Sequence, residues 1–273
     1  MAFTKVNYSY RNRNGQGIWL PPNPGSGLAN LAIPNVYQED ATQIYPIGTR
    51  FANNERVYHY FKAGGTIAYV LAGIFSNQAM LKTAVNTYGA HVAGAQVLKI
   101  DGTSAGSPVA DYYQGAYILL IGVGSSERIL MRIESNLAAE STSPYAVALT
   151  LEQPIPFDIS NDVNCEILGN RYASAITAWG DTLLGTMYTC LGTPARKMTS
   201  GYYGWVQTWG PAFAARAGTD TTTDADRTVI WNTDGSIGPI DEKINSNYSH
   251  QIAGYALAIN GTAPGWFYMT VDP

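Results

Sequence analysis

The sequence predicts a mainly β protein, built of short-stranded β-barrel or sandwich units behind an extended N-terminal arm, with at most one or two short helices. Three observations carry that expectation. Among 273 residues there are 19 Tyr, 6 Trp and 7 Phe, side chains that fit the half-buried pleated surface of a strand. The 28 Gly and 14 Pro supply frequent turn residues. Apolar runs bounded by Gly, Pro, Asn or Asp recur at intervals of roughly 10 to 25 residues, as in compact all-β units.

Residues 1–35 read as the arm. At its centre stands Trp19-Leu20-Pro21-Pro22-Asn23-Pro24-Gly25-Ser26-Gly27, where adjacent prolines fix φ and remove backbone donors, so the stretch can neither continue a helix nor pair as a central strand. An extended segment carrying Tyr8, Tyr10, Arg11, Arg13 and Trp19 needs a surface for its rings, on its own body or on a neighbour. These five are the candidate partner-binding anchors.

Residues 36–153 are expected to form a β-rich domain. Arg56–Phe61 and Thr66–Phe75 flank Gly64-Gly65 and suit two strands with a tight connection. Ser76–Tyr88 places Met80, Leu81, Ala84 and Val85 at the spacing of one apolar helix face, and is the best helix candidate. Gln96–Ile100, Ala116–Val123, Arg128–Glu134 and Tyr145–Leu151 read as strands of a meander or small barrel. In the third of them Ile129, Met131 and Ile133 alternate with Leu130, Arg132 and Glu134, giving one apolar and one mixed face. Leu151–Pro156 is the expected linker. Beyond it, residues 154–273 are expected to form a C-terminal β-barrel or sandwich domain from Val163–Leu168, Thr186–Leu191, Gly201–Trp209, Thr228–Trp231, Gly254–Ile259 and Trp266–Val271.

Charge narrows the function classes. Only 13% of residues are charged and the net charge is -4, so no clustered positive charge is present to bind nucleic acid. No apolar run reaches the roughly 18 to 20 residues that span a bilayer. Met1–Tyr10 lacks the apolar stretch of an export signal, so synthesis in a cytosol is expected. Cys165 and Cys190 are too few for a disulfide framework or a structural zinc site, and are expected to be reduced and buried.

The chemical motifs are weak. Gly102-Thr103-Ser104-Ala105-Gly106 fits the G-x-S-x-G nucleophile elbow, but the chain reaches Pro108 and then Gly115 too soon for the helix such an elbow opens, and only His250 follows the serine. Asp220, Asp224, Asp226 and Asp234 gather carboxylates without the ligand spacing of a calcium loop. No Walker-type loop occurs, and Gly122–Glu127 lacks the third glycine of a dinucleotide fingerprint. No cofactor, metal or catalytic residue is expected. Tyr202, Tyr203, Trp205 and Trp209 form an aromatic string able to stack sugar rings, although strand alternation sends at least one of its faces into a core.

That string, Gly201-Tyr202-Tyr203-Gly204-Trp205-Val206-Gln207-Thr208-Trp209-Gly210-Pro211, resembles a segment of virion structural proteins of tailed bacteriophages. Three further blocks share the likeness: Gly48-Thr49-Arg50 with Val57–Gly65, Gly115-Ala116-Tyr117-Ile118 leading to Arg132–Asn136, and Ile252–Leu257. Together they span about residues 45–270. The resemblance implies a non-enzymatic decoration or cement protein, made in the host cytoplasm and placed on the capsid surface of the virion. The major capsid protein would be its partner, and the chain itself a homo-oligomer, trimer or dimer. A carbohydrate-binding or host-attachment module on the virion is the alternative.

Overall fold

The computed structural model describes residues 9–11, 17–19, 34–68, 72–76, 81–102, 105, 108–123, 127–141, 146–177, 189–216, 227–232, 234–240, 251–258 and 265–273. Strands and turns account for the secondary structure, and among the described residues there is no helix. The chain forms two compact units, one of residues 1–78 with 171–273, the other of residues 79–170.

The second unit is a curled antiparallel sheet. Its strands are β6 (Leu81–Asn86), β7 (Val97–Asp101), β8 (Tyr117–Val123), β9 (Glu127–Asn136), β10 (Ala146–Leu151) and β11 (Asn164–Leu168), ordered β6-β11-β8-β9-β10-β7. A bridge between Thr87 and Ile100 joins the two outer strands, and the Tyr88 N–H donates to the Lys99 carbonyl at 2.8 Å. The sheet therefore wraps around its own core, where Leu98, Ile100, Ile118, Leu120, Ile133, Val147, Leu149 and Ile167 are wholly buried. Each comes from the inward face of an alternating strand.

Two expectations change here. The helix expected over Ser76–Tyr88 is replaced by strand β6, which pairs with β11. The apolar positions of so short a run fit a strand as well as a helical turn, and Thr83 and Val85 are β-branched; the pairing with β11 carries a register shift that breaks strict alternation. Nor does Leu151–Pro156 separate units. Ile155 is buried in the barrel core, its N–H donating to the Ala95 carbonyl at 2.8 Å while its own carbonyl accepts from Gly94 at 2.7 Å. Pro154 and Pro156 bracket an inserted side chain, and the expected boundary at 153/154 falls inside the second unit.

The first unit is built around the long strand β14 (Tyr203–Ala214). Its main sheet takes β1 (Ser9–Arg11), β2 (Gly17–Trp19), β3 (Arg50–Asn53), β4 (Arg56–Lys62), then β14, β18 (Gly265–Thr270), β17 (Ile252–Ala258), β15 (Thr228–Trp231) and β16 (Ile237–Pro239), in that order. β13 (Cys190–Pro194) also pairs with β14, and leads to β5 (Ile74–Ser76) and β12 (Ala175–Thr177). The tight connection expected between Arg56–Phe61 and the following run does not form: β4 lies between β3 and β14, while β5 pairs with β12 and β13. β3 and β4 form the local hairpin instead, with Asn53 opposite Arg56 and Asn54 at φ 55°, a left-handed turn position that Asn tolerates.

Aromatic packing on one face of this unit is dense. Trp205 lies 5.2 Å from Tyr45, 5.8 Å from Phe51 and 5.1 Å from Tyr60, ring centre to ring centre. Such pairs add about 0.5–1.5 kcal/mol each beyond area burial. Cys165 and Cys190 are both buried free thiols, one in each unit, and burial raises the Cys165 thiol to about 12.

Candidate interaction surface

Strand alternation builds an open aromatic face on the first unit. In β18 Phe267 and Met269 are buried while Trp266, Tyr268 and Thr270 point the other way. β14 contributes Trp209, Pro211 and Phe213, all half-buried. β17 contributes Tyr255 and Leu257, both exposed. Register aligns them in rows, with Pro211 opposite Tyr268 and Tyr268 opposite Tyr255, and with Phe213 opposite Trp266.

The rings pack on one another across the strands. Tyr255 and Tyr268 stack at 5.2 Å with planes 6° apart, Trp209 meets Tyr268 edge-on at 6.0 Å, and Phe213 lies 5.2 Å from Trp266. Cross-strand aromatic pairs of this kind stabilise a sheet, and here they also fix the rings in place. None of β13 to β18 contains an Asp, Glu, Lys or Arg. The result is a rigid, uncharged aromatic surface with hydroxyl groups from two tyrosines and Thr270.

Gly254 makes the geometry possible. Val229 faces Gly254 and Ile230 faces Ile252, so Ala253 is the extra residue of a bulge. Ala253 is buried, yet Tyr255, two positions on, is exposed. Gly254 sits at φ 148°, and this irregular residue re-aims the strand so that Tyr255 and Leu257 join the open face.

A polar cluster lies elsewhere in the same unit. The buried His59 ring stacks on Tyr172 at 4.8 Å, with planes 8° apart. The Thr208 hydroxyl donates to the Asp272 carbonyl oxygen at 2.5 Å and lies 3.2 Å from His59 Nδ1, which therefore donates to it. Nε2 is left without a proton, 3.7 Å from the Asp272 carboxylate. That carboxylate accepts from the Tyr172 hydroxyl at 2.6 Å and from Arg171. Arg50 Nε donates to the Pro273 carbonyl oxygen at 3.0 Å.

The hydroxyl, imidazole and carboxylate resemble a catalytic triad only in composition. Thr208 is fully buried and its proton is held by a backbone carbonyl, so the cluster fastens residues 272–273 to the sheet. Burial lowers His59 to about 4 despite the Asp272 carboxylate, with Arg171 and Arg50 also opposing its charge. The contact to Asp272 is thus not an ion pair at neutral pH.

A pH prediction follows from this depressed value. Between about pH 6.5 and 4 the unfolded histidine binds a proton that the folded one refuses, so stability falls as the pH drops through that window. Fully expressed, the loss is roughly 3 kcal/mol. Denaturant titrations across this range should show His59→Gln with a shallower pH dependence than the parent; superimposable profiles would refute the assignment.

The residues singled out in the sequence are distributed differently from expectation. Of the arm anchors, Tyr10 and Arg11 lie on β1 and Trp19 on β2, while Tyr8 and Arg13 lie outside the described residues. β1 pairs with β2, and β2 with β3, placing Trp19 opposite Arg50; the backbone of these two strands thereby joins its own sheet. In the aromatic string, Trp205 is buried and cannot offer a ring face to a ligand. Tyr203 stacks on Tyr60 at 6.1 Å beneath the Lys62 ammonium, and Tyr202 packs against the cluster around Phe61 and Val206. Only Trp209 reaches the open face.

Ser104, His250, Asp220, Asp224 and Asp226 lie outside the described residues. Asp234 is spent in its own turn, accepting from the Ser236 N–H at 2.9 Å and the Ser236 hydroxyl at 2.5 Å. Tyr255, Trp266 and Tyr268 were not anticipated as site residues. Their signal was the alternation of Trp266 and Tyr268 with Phe267 and Met269, two large faces on one strand where a half-buried strand usually shows one.

No protein-family model matches this chain, and comparisons with curated proteins and with solved structures return no significant match.

Proposed function

We propose that this chain is a non-enzymatic structural subunit of a tailed-phage virion, which decorates or cements the capsid shell by binding the major capsid protein. The observation that supports it best is the open aromatic face of β14, β18 and β17. A sheet surface bearing Trp266, Tyr255 and Leu257 in the open, without a charged residue on its strands, suits a molecule that works by covering area. The motif resemblance supplies the virion context. The arm remains the candidate attachment to the shell through Tyr8, Tyr10, Arg11, Arg13 and Trp19, since β1 stands at the end of the sheet among the described strands and an end strand can accept a further strand. In this reading the protein resides on the capsid surface and is made in the host cytoplasm.

Mass spectrometry of purified particles tests the proposal: many copies of the chain per particle are expected, and particles lacking it would refute it. A carbohydrate-binding or host-attachment role is the second reading, favoured by the exposed Trp266 and Tyr255. It is weakened by the stacking of Tyr255 on Tyr268, because a ring face spent on a neighbouring ring is not open to a sugar. A glycan array separates the two, with no binding expected from the structural subunit.

A further inference from the structure

We infer that the open face of β14, β18 and β17 is the contact between two copies of this chain, packed face to face about a two-fold axis. The inference rests on reading the protein as a subunit that acts by contact, and it assigns this particular face to the homo-oligomer rather than to the shell.

Area is the first argument. Trp266 is 52% exposed, Leu257 49%, Tyr255 45%, and Ile252, which lies opposite Ile230 as Tyr255 lies opposite Thr228 and so shares that side of β17, 53%. A large side chain of this kind presents on the order of 150–250 Å², so these four leave about 400 Å² in water on that scale. Half-buried Trp209, Pro211, Phe213 and Tyr268 raise it toward roughly 600 Å², the upper end of what a monomer usually leaves exposed and most of the ~800 Å² that each partner gives to a specific interface.

Charge identifies the occupant. In a two-fold contact every residue near the axis meets its own duplicate, so a charged group there faces a like charge. A face built for a charged partner would carry complementary charges; this one carries none on any of its strands, while the chain as a whole carries -4. Two copies that repel elsewhere can meet here. The polar groups that remain, the hydroxyls of Tyr255, Tyr268 and Thr270, both donate and accept hydrogen bonds, so they can pair with one another across the axis.

Shape agrees with charge. The rings are held by one another across three paired strands, so little side-chain freedom is left to lose on association. A preformed flat face suits another flat face better than it suits a flexible peptide.

Sedimentation equilibrium of the full-length chain tests the inference, with Tyr255→Lys/Trp266→Lys as the variant. The parent is expected to be a dimer and the variant a monomer, with at least a 100-fold loss of self-affinity. Leu130→Lys, on an exposed position of the second unit's sheet, is expected to leave the dimer intact. Circular dichroism checks folding; if the double variant does not fold, single Leu257→Lys replaces it, with a smaller weakening expected. A monomeric parent, or a folded face variant that dimerises like the parent, overturns the inference. If the parent is monomeric and yet abundant in particles, the self-contact is wrong and the virion reading stands; if it is a dimer through this face and absent from particles, the self-contact stands and the virion reading is wrong.

Discussion

Gly254→Ala is expected to destabilise the first unit by about 3–5 kcal/mol, at the upper end of single substitutions, and to abolish the aromatic face with it. Two costs combine. An L-residue at φ 148° is strained wherever it occurs, by roughly 1–3 kcal/mol. The added Cβ would also fall deep inside contact with the Tyr268 carbonyl oxygen and against the Met269 Cα. Those are backbone atoms of the paired strand, so no side chain can swing away; relief requires β17 and β18 to part. Gly192 is similarly placed, its Cβ meeting the Gln207 carbonyl at φ 134°, and Gly192→Ala should be comparably damaging. Gly65 has no neighbouring atom within 4 Å of an added Cβ, and Gly65→Ala is expected to change stability by less than about 0.5 kcal/mol. Urea midpoints of the three variants check the ranking. If Gly254→Ala matched Gly65→Ala, the bulge would not be what aims Tyr255 outward.

The contrast among these glycines shows what could be read from the amino-acid sequence and what could not. Strands rich in aromatic residues, such as Arg56–Lys62 and Tyr203–Ala214, announce themselves because the fit of such side chains to a pleated surface acts locally. Their partners do not. β14 lies beside β4, about 145 positions earlier in the chain, and no turn residue encodes that pairing. Ser76–Tyr88 misled for the opposite reason: a six-residue strand and one helical turn share the same apolar positions, and the partner strand β11 decides between them. Leu151–Pro156 carried the composition of a linker, but Ile155 between its prolines had a core to enter.

The candidate face was half legible. Trp266, Tyr268 and Tyr255 are plainly visible as aromatics, but large residues on both sides of β18 predict two cores as readily as one core and one open surface. Only the placement of the Tyr45 segment over Trp205, and not over Trp266, resolves which rings are covered. His59 offers the same lesson. A lone histidine in a strand gives no sign that Asp272, more than 200 positions away, will face it with Arg171 and Tyr172.

Asn136→Leu should be among the most damaging changes in the second unit, at about 2–4 kcal/mol, although the two side chains have the same number of heavy atoms and the same branching. Asn136 is 2% exposed at the end of β9. Its Oδ1 accepts from the Tyr113 N–H at 2.7 Å, and its Nδ2 donates to the carbonyls of Val109 and Leu137 at 2.9 and 2.8 Å. One amide thereby ties two backbone groups of the Val109–Tyr113 segment to the end of β9, and that segment carries the wholly buried Tyr113, whose hydroxyl donates to the Ala105 carbonyl at 2.5 Å. Removing the amide leaves a buried donor without a partner, which costs about 1–3 kcal/mol, together with two part-buried carbonyls that lose their donor. Leucine offers no compensation, since the space it fills was never apolar. Asn136→Asp is the sharper probe. It keeps the acceptor for Tyr113 but turns a carboxylate oxygen toward two carbonyls, which favours the protonated form in the folded state. Its stability should therefore be highest at low pH and fall as the pH rises through the raised folded-state value, while Asn136→Leu shows no such added dependence. Parallel denaturation curves at several pH values would reveal the difference. Equal stability of Asn136→Leu and the parent would mean that these three hydrogen bonds do not hold the barrel end.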